Sequence, residues 1–158
     1  MADPLRKRIV SEFNRKLLAI TAANGYPSNV GANGARWKTT PWDAAHLPGF
    51  NLMDRGVRFA PEVLNGHDWE LDIEVQLALK PSPTLADDMI TAESDVIACL
   101  GRDYRFRNIF PTGKQRQIEL KLVETQFEVK QEDVQYGAVS MRFTLKYRTQ
   151  IWDPTTAT

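Results

Sequence analysis

Three stretches of the chain alternate between apolar and polar residues at the period of a β-strand. Residues 139–152, VSMRFTLKYRTQIW, carry apolar side chains on one side and cations on the other. Residues 67–80, HDWELDIEVQLALK, carry a matching apolar row with acids on the other side. A third run, IELKLVETQFEVK at 118–130, changes phase after Leu122, and a one-residue change of phase is the pattern of a β-bulge.

Two other segments carry apolar residues at helical spacing. The first begins at Asp3 and Pro4, which suit the N-cap and the first helical position, and it runs to residues 24–25. The second follows a proline-rich turn, with Thr84 as its expected N-cap and Gly101 at its end. Both helices are amphipathic, so each needs a surface on which to bury its apolar side.

These elements predict an α+β fold. A short strand through Val57, Phe59 and Val63 completes a four-stranded, mainly antiparallel sheet with two amphipathic helices on one face, in the order α-β-β-α-β-β. A chain of 158 residues with 42% hydrophobic content suits one domain, 1–158. The same pattern predicts a long irregular insertion at 25–56 and a short C-terminal tail at 152–158.

The predicted insertion is punctuated by glycine and proline, yet it contains Trp37 and Trp42. Disordered linkers are poor in aromatic residues. We therefore expect this segment to pack on its own domain or on a neighbouring chain.

Any electrostatic role of this chain is local, because 20 acidic and 20 basic residues give no formal net charge. The polar rows of the two long strands have opposite signs. The acidic row consists of Asp68, Glu70, Asp72 and Glu74, and the cationic row consists of Arg142, Lys146 and Arg148. The two rows can pair within one chain, or they can form a subunit or tube interface together with Trp37 and Trp42.

A basic loop joins the second helix to the third long strand, at 102–116. Its cations are Arg102, Arg105, Arg107, Lys114 and Arg116. They alternate with Tyr104, Phe106 and Phe110, a mixture that suits phosphate contact and base stacking in a DNA-facing loop. A loop that anchors itself through its aromatic side chains while its cations face water has the same pattern.

No pattern in the sequence indicates catalysis, a metal site or a cofactor. The two histidines and the single Cys99 lack the spacing of a zinc site, and Cys99 falls in the apolar pattern of the second helix. Asp72 and Glu74 share one strand side, a position that suits a shared cation or a division of acid and base roles, but such a row is more often solvated or ion-paired. No run approaches the roughly 20 apolar residues of a membrane span, so no membrane partner is expected.

Residues 67–100, HDWELDIEVQLALKPSPTLADDMITAESDVIACL, followed by GAVSMRFTLKYRTQIWDP at 137–154, resemble the tail terminator (tail completion) proteins of lambda-like long-tailed bacteriophages. The resemblance extends as a pattern over most of residues 5–154. It implies a non-enzymatic virion protein without a cofactor, assembled in the host cytoplasm and located at the head-proximal end of the tail.

The resemblance also implies a hexameric ring that caps the tail tube, ends tube polymerisation and offers a joining surface to the head or neck. The implied partners are the chain itself, the tail tube protein and the head or neck connector protein. Non-specific contact with passing DNA would give the basic loop a use. Two other functions remain open, a head-to-tail neck adaptor and a non-specific nucleic-acid-binding module.

Overall fold

The computed structural model describes residues 2–59, 66–110, 118–150 and 152–158. It contains two α-helices and six β-strands. In chain order these are α1 (Leu5–Leu18), β1 (Gly34–Arg36), β2 (Gly49–Phe59), β3 (His67–Leu79), α2 (Leu85–Gly101), β4 (Glu119–Gln131), β5 (Gln135–Gln150) and β6 (Asp153–Ala157). Short 3-10 helices cover Ala22–Asn24, Val30–Asn33 and Ala44–His46.

The six strands form one mixed sheet in the order β1-β2-β3-β5-β4, with β6 beside the end of β5. Strands β2 to β5 pair antiparallel, and β1 runs parallel to β2. The α+β class is confirmed. The prediction of four strands was wrong, because the sheet also contains the two short strands β1 and β6. These strands carry no apolar row that a sequence pattern would reveal.

Both helices and the apolar rows of the central strands belong to one core. Phe13 of α1 meets Phe143 of β5 edge-on at 5.6 Å between ring centroids. The thiol of Cys99 in α2 donates to the backbone oxygen of Lys16 in α1 at 3.2 Å, and Cys99 is buried as predicted. We call this side of the sheet the helix face, and the opposite side, which carries the acidic row, the charged face.

Helix α1 differs from its prediction at both ends. Pro4 rather than Asp3 occupies the N-cap position, and the Asp3 carboxylate pairs with Lys7 at 2.8 Å. The helix ends at Leu18, because the loop that follows folds back on its last turn. A Cβ on Gly31 would lie 2.7 Å from the Leu18 oxygen, so only glycine allows this close approach.

The predicted irregular segment 25–56 is partly regular. Strand β2 begins at Gly49, and β1 also lies within the segment. The rest packs on the domain itself, because Trp42 joins Leu47 in a second small core with Ala78 and Tyr136. The predicted tail 152–158 is likewise structured, since it contains β6.

The two central strands and the bulge agree with the sequence pattern. Buried and partly exposed residues alternate along β3 and β5. The register of β4 against β5 shifts between Leu122 and Glu124, which confirms the predicted bulge. Helix α2 begins after Thr84 and ends at Gly101 as predicted, although Ile90 and Ile97 of its apolar pattern are exposed.

Candidate assembly surfaces

The predicted acidic and cationic rows face one another inside a single chain. The β3–β5 register sets Asp68 opposite Arg148, Glu70 opposite Lys146 and Glu74 opposite Arg142. Arg148 donates two hydrogen bonds to the Asp68 carboxylate, from Nε at 2.5 Å and from Nη2 at 3.1 Å. Pairing within one chain is therefore present at this position, and a role of these rows between subunits stays a prediction.

The other acids of the row pair with β2, which the sequence reasoning missed. Arg58 contacts both Glu70 and Asp72, and Arg55 donates to Glu74 at 2.8 Å. Alternation identifies one strand face at a time and does not say which strands are neighbours. The two arginines therefore gave no signal as partners of the acidic row.

Within the acidic row, the Glu74 carboxylate accepts hydrogen bonds from several side chains. Burial raises the pKa of its carboxyl, but hydrogen bonds from Gln76 and Arg55 outweigh that effect, so the pKa lies below its ordinary value. Ser140 also donates to this carboxylate, at 3.2 Å. Although Arg142 is its register partner, Arg142 donates to Glu124 of β4 at 3.1 Å instead.

The two tryptophans predicted as interface residues have different environments. Trp42 is buried on the charged face, and the ammonium of Lys38 lies 4.9 Å from its ring centroid. Its position matches the expectation that the segment packs on its own domain. Trp37 is 47% exposed, and its Nε1 donates to Asp54 at 3.1 Å, so only Trp37 offers an accessible face.

The described part of the basic loop, Arg102 to Phe110, is anchored from below by Phe106 and Phe110, which are both buried. Its three arginines lie at the surface. The Arg105 guanidinium is 5.4 Å from the ring centroid of the half-exposed Tyr104. This arrangement agrees with the alternative of an aromatic-anchored loop whose cations face water, and Lys114 and Arg116 lie outside the described residues.

A buried cation also supports this loop. Lys16 of α1 is buried and pairs with Asp103 at 3.1 Å. Burial raises the pKa of the Asp103 carboxyl, but hydrogen bonds from Lys16 and Arg107 outweigh that effect, so the pKa lies below its ordinary value. The sequence did not predict this pair, because helical spacing does not reveal a distant acid.

An exposed aromatic cluster lies at the end of the sheet where β3 begins and β5 ends, and we call it the aromatic patch. Phe59 packs edge-on against Trp69 at 5.2 Å, and Trp152 packs against His67 at 5.3 Å. Trp152 is 86% exposed. Together with Pro154 these side chains line a shallow, almost wholly apolar cavity of about 440 Å³. The prediction of a short tail at 152–158 did not reveal this cavity.

The described residues contain no group of three or more His, Cys, Asp or Glu side chains placed to hold a metal ion. Among the same residues no helix is long and apolar enough to cross a membrane. Asp72 and Glu74, the one carboxylate pair considered for acid–base work, are both engaged by arginines of β2.

No protein-family model matches the chain, and no curated protein is similar to it. The likeness to tail terminators therefore stays a prediction from the sequence pattern.

Proposed function

We propose that this protein is a structural phage tail terminator, which assembles as a ring on the tail tube, ends tube polymerisation and forms the joining surface for the head or neck. The observation that carries the proposal is the pair of exposed apolar surfaces at different places on one small domain. One is the aromatic patch, and the other is the stripe of Ile90 and Ile97 on α2, which are 51% and 45% exposed. A subunit that contacts neighbours on two sides needs two such surfaces.

The aromatic patch has the chemistry of a contact surface. Exposed contiguous apolar patches mark interaction sites, and each large aromatic side chain buries roughly 150 to 250 Å² when it is covered. The indole of Trp69 is fixed from behind by its Nε1 hydrogen bond to Thr149 at 3.0 Å. A rigid aromatic surface of this kind loses little conformational entropy when a partner covers it.

The placement of the two surfaces suits a head-to-tail contact. Helix α2 starts beside Gly137 near the first residue of β5, where a Cβ would meet Leu85 at 2.6 Å. The aromatic patch lies beside Thr149 near the other end of that strand. Twelve strand residues span roughly 40 Å, which separates the start of α2 from the aromatic patch. A contact between two such different surfaces closes into a ring when the rotation between subunits allows it.

Within a ring of this kind, the surface arginines of the basic loop would meet passing DNA. Arg105 and Tyr104 present a cation and an exposed ring side by side. Such a pair contacts phosphates and stacks on bases without reading sequence. The same observation supports a second candidate function, a non-specific nucleic-acid-binding module, and a head-to-tail neck adaptor would use the same apolar surfaces.

The test is tube-length control. Tail tube protein of the same phage is polymerised with and without this protein, and tube lengths are measured by electron microscopy. We expect tubes to stop growing and to carry a ring of six subunits at one end. Tube lengths that do not change when the protein is added would contradict the proposal.

Two variants refine this test. Trp152→Ala is expected to abolish capping, because it removes the most exposed side chain of the aromatic patch. Tyr104→Ala removes a half-exposed ring outside the patch and serves as the matched control, with capping retained. For the second candidate, Arg105→Ala together with Arg107→Ala is expected to weaken DNA retention at low salt, and unchanged retention would reject a phosphate-binding role.

A further inference from the structure

Strand β4 is an edge strand with unusual exposure. It pairs with β5 on one side, and no strand within the described ranges 2–59, 66–110, 118–150 and 152–158 pairs with its outer side. Four of its large apolar side chains are between 41% and 56% exposed, namely Leu122, Val123, Phe127 and Val129. A 13-residue open edge with exposed apolar residues is a template for pairing with another chain.

The register against β5 tells on which face each β4 side chain lies. Residues directly opposite one another in an antiparallel pair share a face. The β4 residues opposite even-numbered β5 residues therefore lie on the charged face, and they include Glu119, Lys121, Glu128 and Lys130. The β4 residues opposite odd-numbered β5 residues lie on the helix face, and they include Leu120, Leu122, Phe127 and Val129.

We propose that two copies of this chain pair antiparallel through the outer edges of β4, with Thr125 facing Thr125 of the second copy at a two-fold axis. The bulge makes this register possible. Val123 is the extra residue on each strand. Leu122 lies three residues before Thr125 and Phe127 lies two residues after it, so the extra residue lets Leu122 of one copy lie opposite Phe127 of the second copy. Both side chains then lie on the helix face, as paired side chains must.

The charges of β4 are self-complementary in this register. On the charged face Glu119 meets Lys130 of the second copy, and Lys121 meets Glu128 of the second copy. On the helix face Leu120 meets Val129 of the second copy, beside the Leu122–Phe127 contact. Each match occurs twice because the contact is isologous.

Neighbouring registers are disfavoured by the same charges. A shift by two residues in one direction sets Glu119 opposite Glu128 of the second copy, and a shift in the other direction sets Lys121 opposite Lys130. Like charges directly opposite one another destabilise a strand pair. Within one chain Glu119 pairs with Lys121 at 2.9 Å. Among the described residues neither Glu128 nor Lys130 has an ion-pair partner within its own chain, so these two charges are available.

The inference does not depend on the proposed function. An isologous contact closes after two copies, whereas a ring needs a head-to-tail contact between different surfaces. The two contacts use separate parts of the molecule, because the aromatic patch and the α2 stripe contain no β4 residue. A pair in the free protein is expected whether or not the chain caps a tail tube.

Two charge-reversed chains test the register. The acidic variant carries Lys121→Glu and Lys130→Glu, and the basic variant carries Glu119→Lys and Glu128→Lys. Wild type at micromolar concentration is expected to have twice the chain mass of 18.0 kDa by analytical ultracentrifugation. Each variant alone places like charges at all four contacts and is expected to sediment as a single chain, with an unchanged circular dichroism spectrum.

Mixing the two variants restores opposite charges at all four contacts. Native mass spectrometry is expected to show a species of one acidic and one basic chain. The control is a chain with Asp87→Lys and Glu93→Lys on α2, which has the same added charge away from β4. It should remain paired with itself and should not capture the acidic variant.

A wild type that sediments as a single chain would overturn the proposal, as would variants that keep the wild-type mass. A mixture that yields no mixed pair, or a control chain that captures the acidic variant equally well, would also overturn it.

Discussion

Strands β3 and β4 both have 13 residues and both alternate apolar and polar side chains, yet their environments differ. In β3 the apolar row is buried, and Leu71, Ile73 and Val75 are at most 1% exposed. In β4 the residues after Ile118 are mostly exposed on both faces. The two strands differ in their neighbours. Strand β3 lies between β2 and β5 beneath the helices, whereas β5 is the one strand that pairs with β4 in the described part of the chain. Alternation thus identifies a strand, and the coverage of its apolar row depends on the rest of the chain.

The largest difference between the two strands is expected when one residue is deleted. Loss of Asp72 from β3 moves half of its apolar row to the charged face, and we expect the chain not to fold. Loss of Val123 from β4 removes the bulge and leaves a continuous register, so folding should persist. Circular dichroism and proteolysis compare the two variants, and equal damage by both deletions would contradict the comparison.

The same leucine-to-alanine change should have unequal effects in the two strands. Leu71→Ala empties a fully buried site and is expected to lower the free energy of unfolding by about 2 to 5 kcal/mol. Leu122 is 41% exposed, so Leu122→Ala should lower it by less than about 1.5 kcal/mol. Urea denaturation measures both, with the charge-reversed acidic background keeping the chains single. Equal losses would show that β4 is buried in solution.

A smaller difference is expected between two ion pairs. The side chains of Asp68 and Arg148 on β3 and β5 are each about one third exposed, whereas Arg142 and Glu124 reach 59% and 39%. A double-mutant cycle should give a coupling up to about 1 kcal/mol for the first pair and a smaller value for the second. A larger coupling free energy for Arg142 and Glu124 than for Asp68 and Arg148 would contradict this prediction.

The smallest effect concerns pH. Burial raises the pKa of Glu74 on β3, but hydrogen bonds from Gln76 and Arg55 outweigh this effect and leave the pKa below its ordinary 4.5. A carboxyl with a lowered folded-state pKa contributes stability above its unfolded-state pKa, and that stability is lost as the pH falls through the folded-state value. Glu74→Gln should therefore flatten the fall in stability below about pH 4.5.

Glu119 on β4 provides the contrast. The hydrogen bond from Lys121 lowers the pKa of this carboxyl, and the Glu119 side chain is about half exposed. Salt screens such exposed pairs. In an NMR titration at high salt, Glu119 should return to its ordinary pKa while Glu74 keeps a lowered one, and identical salt responses would contradict the difference in burial.

The sequence predicted those elements whose formation depends on a local period. Helix α2, strands β3 and β5 and the bulge after Leu122 follow from side-chain spacing alone. The sequence did not predict strands β1 and β6, because their sequences, GAR and DPTTA, are short and have no apolar row. They become strands only because longer neighbours supply hydrogen-bonding partners.

The candidate surfaces were less predictable, because they depend on which distant segments meet. The acidic row was visible in the sequence, but its pairing with Arg55 and Arg58 required the β2–β3 register. No pattern in the sequence predicts that Trp42 and Trp152 differ in exposure. The first is covered by Tyr136 and Ala78, whereas the second lies 86% exposed, and no local pattern distinguishes them.

Cys99 gives the molecule an internal chemical reporter. It is the only sulfhydryl in the chain, and it lies buried at the seam between α1 and α2, in contact with the backbone of Lys16. A thiol reagent reaches this buried atom when the structure around it opens, where α1, α2 and the loop that carries Tyr26 meet. The rate at which the protein is labelled at this one atom therefore measures how often this part of the helical layer opens, without any added probe.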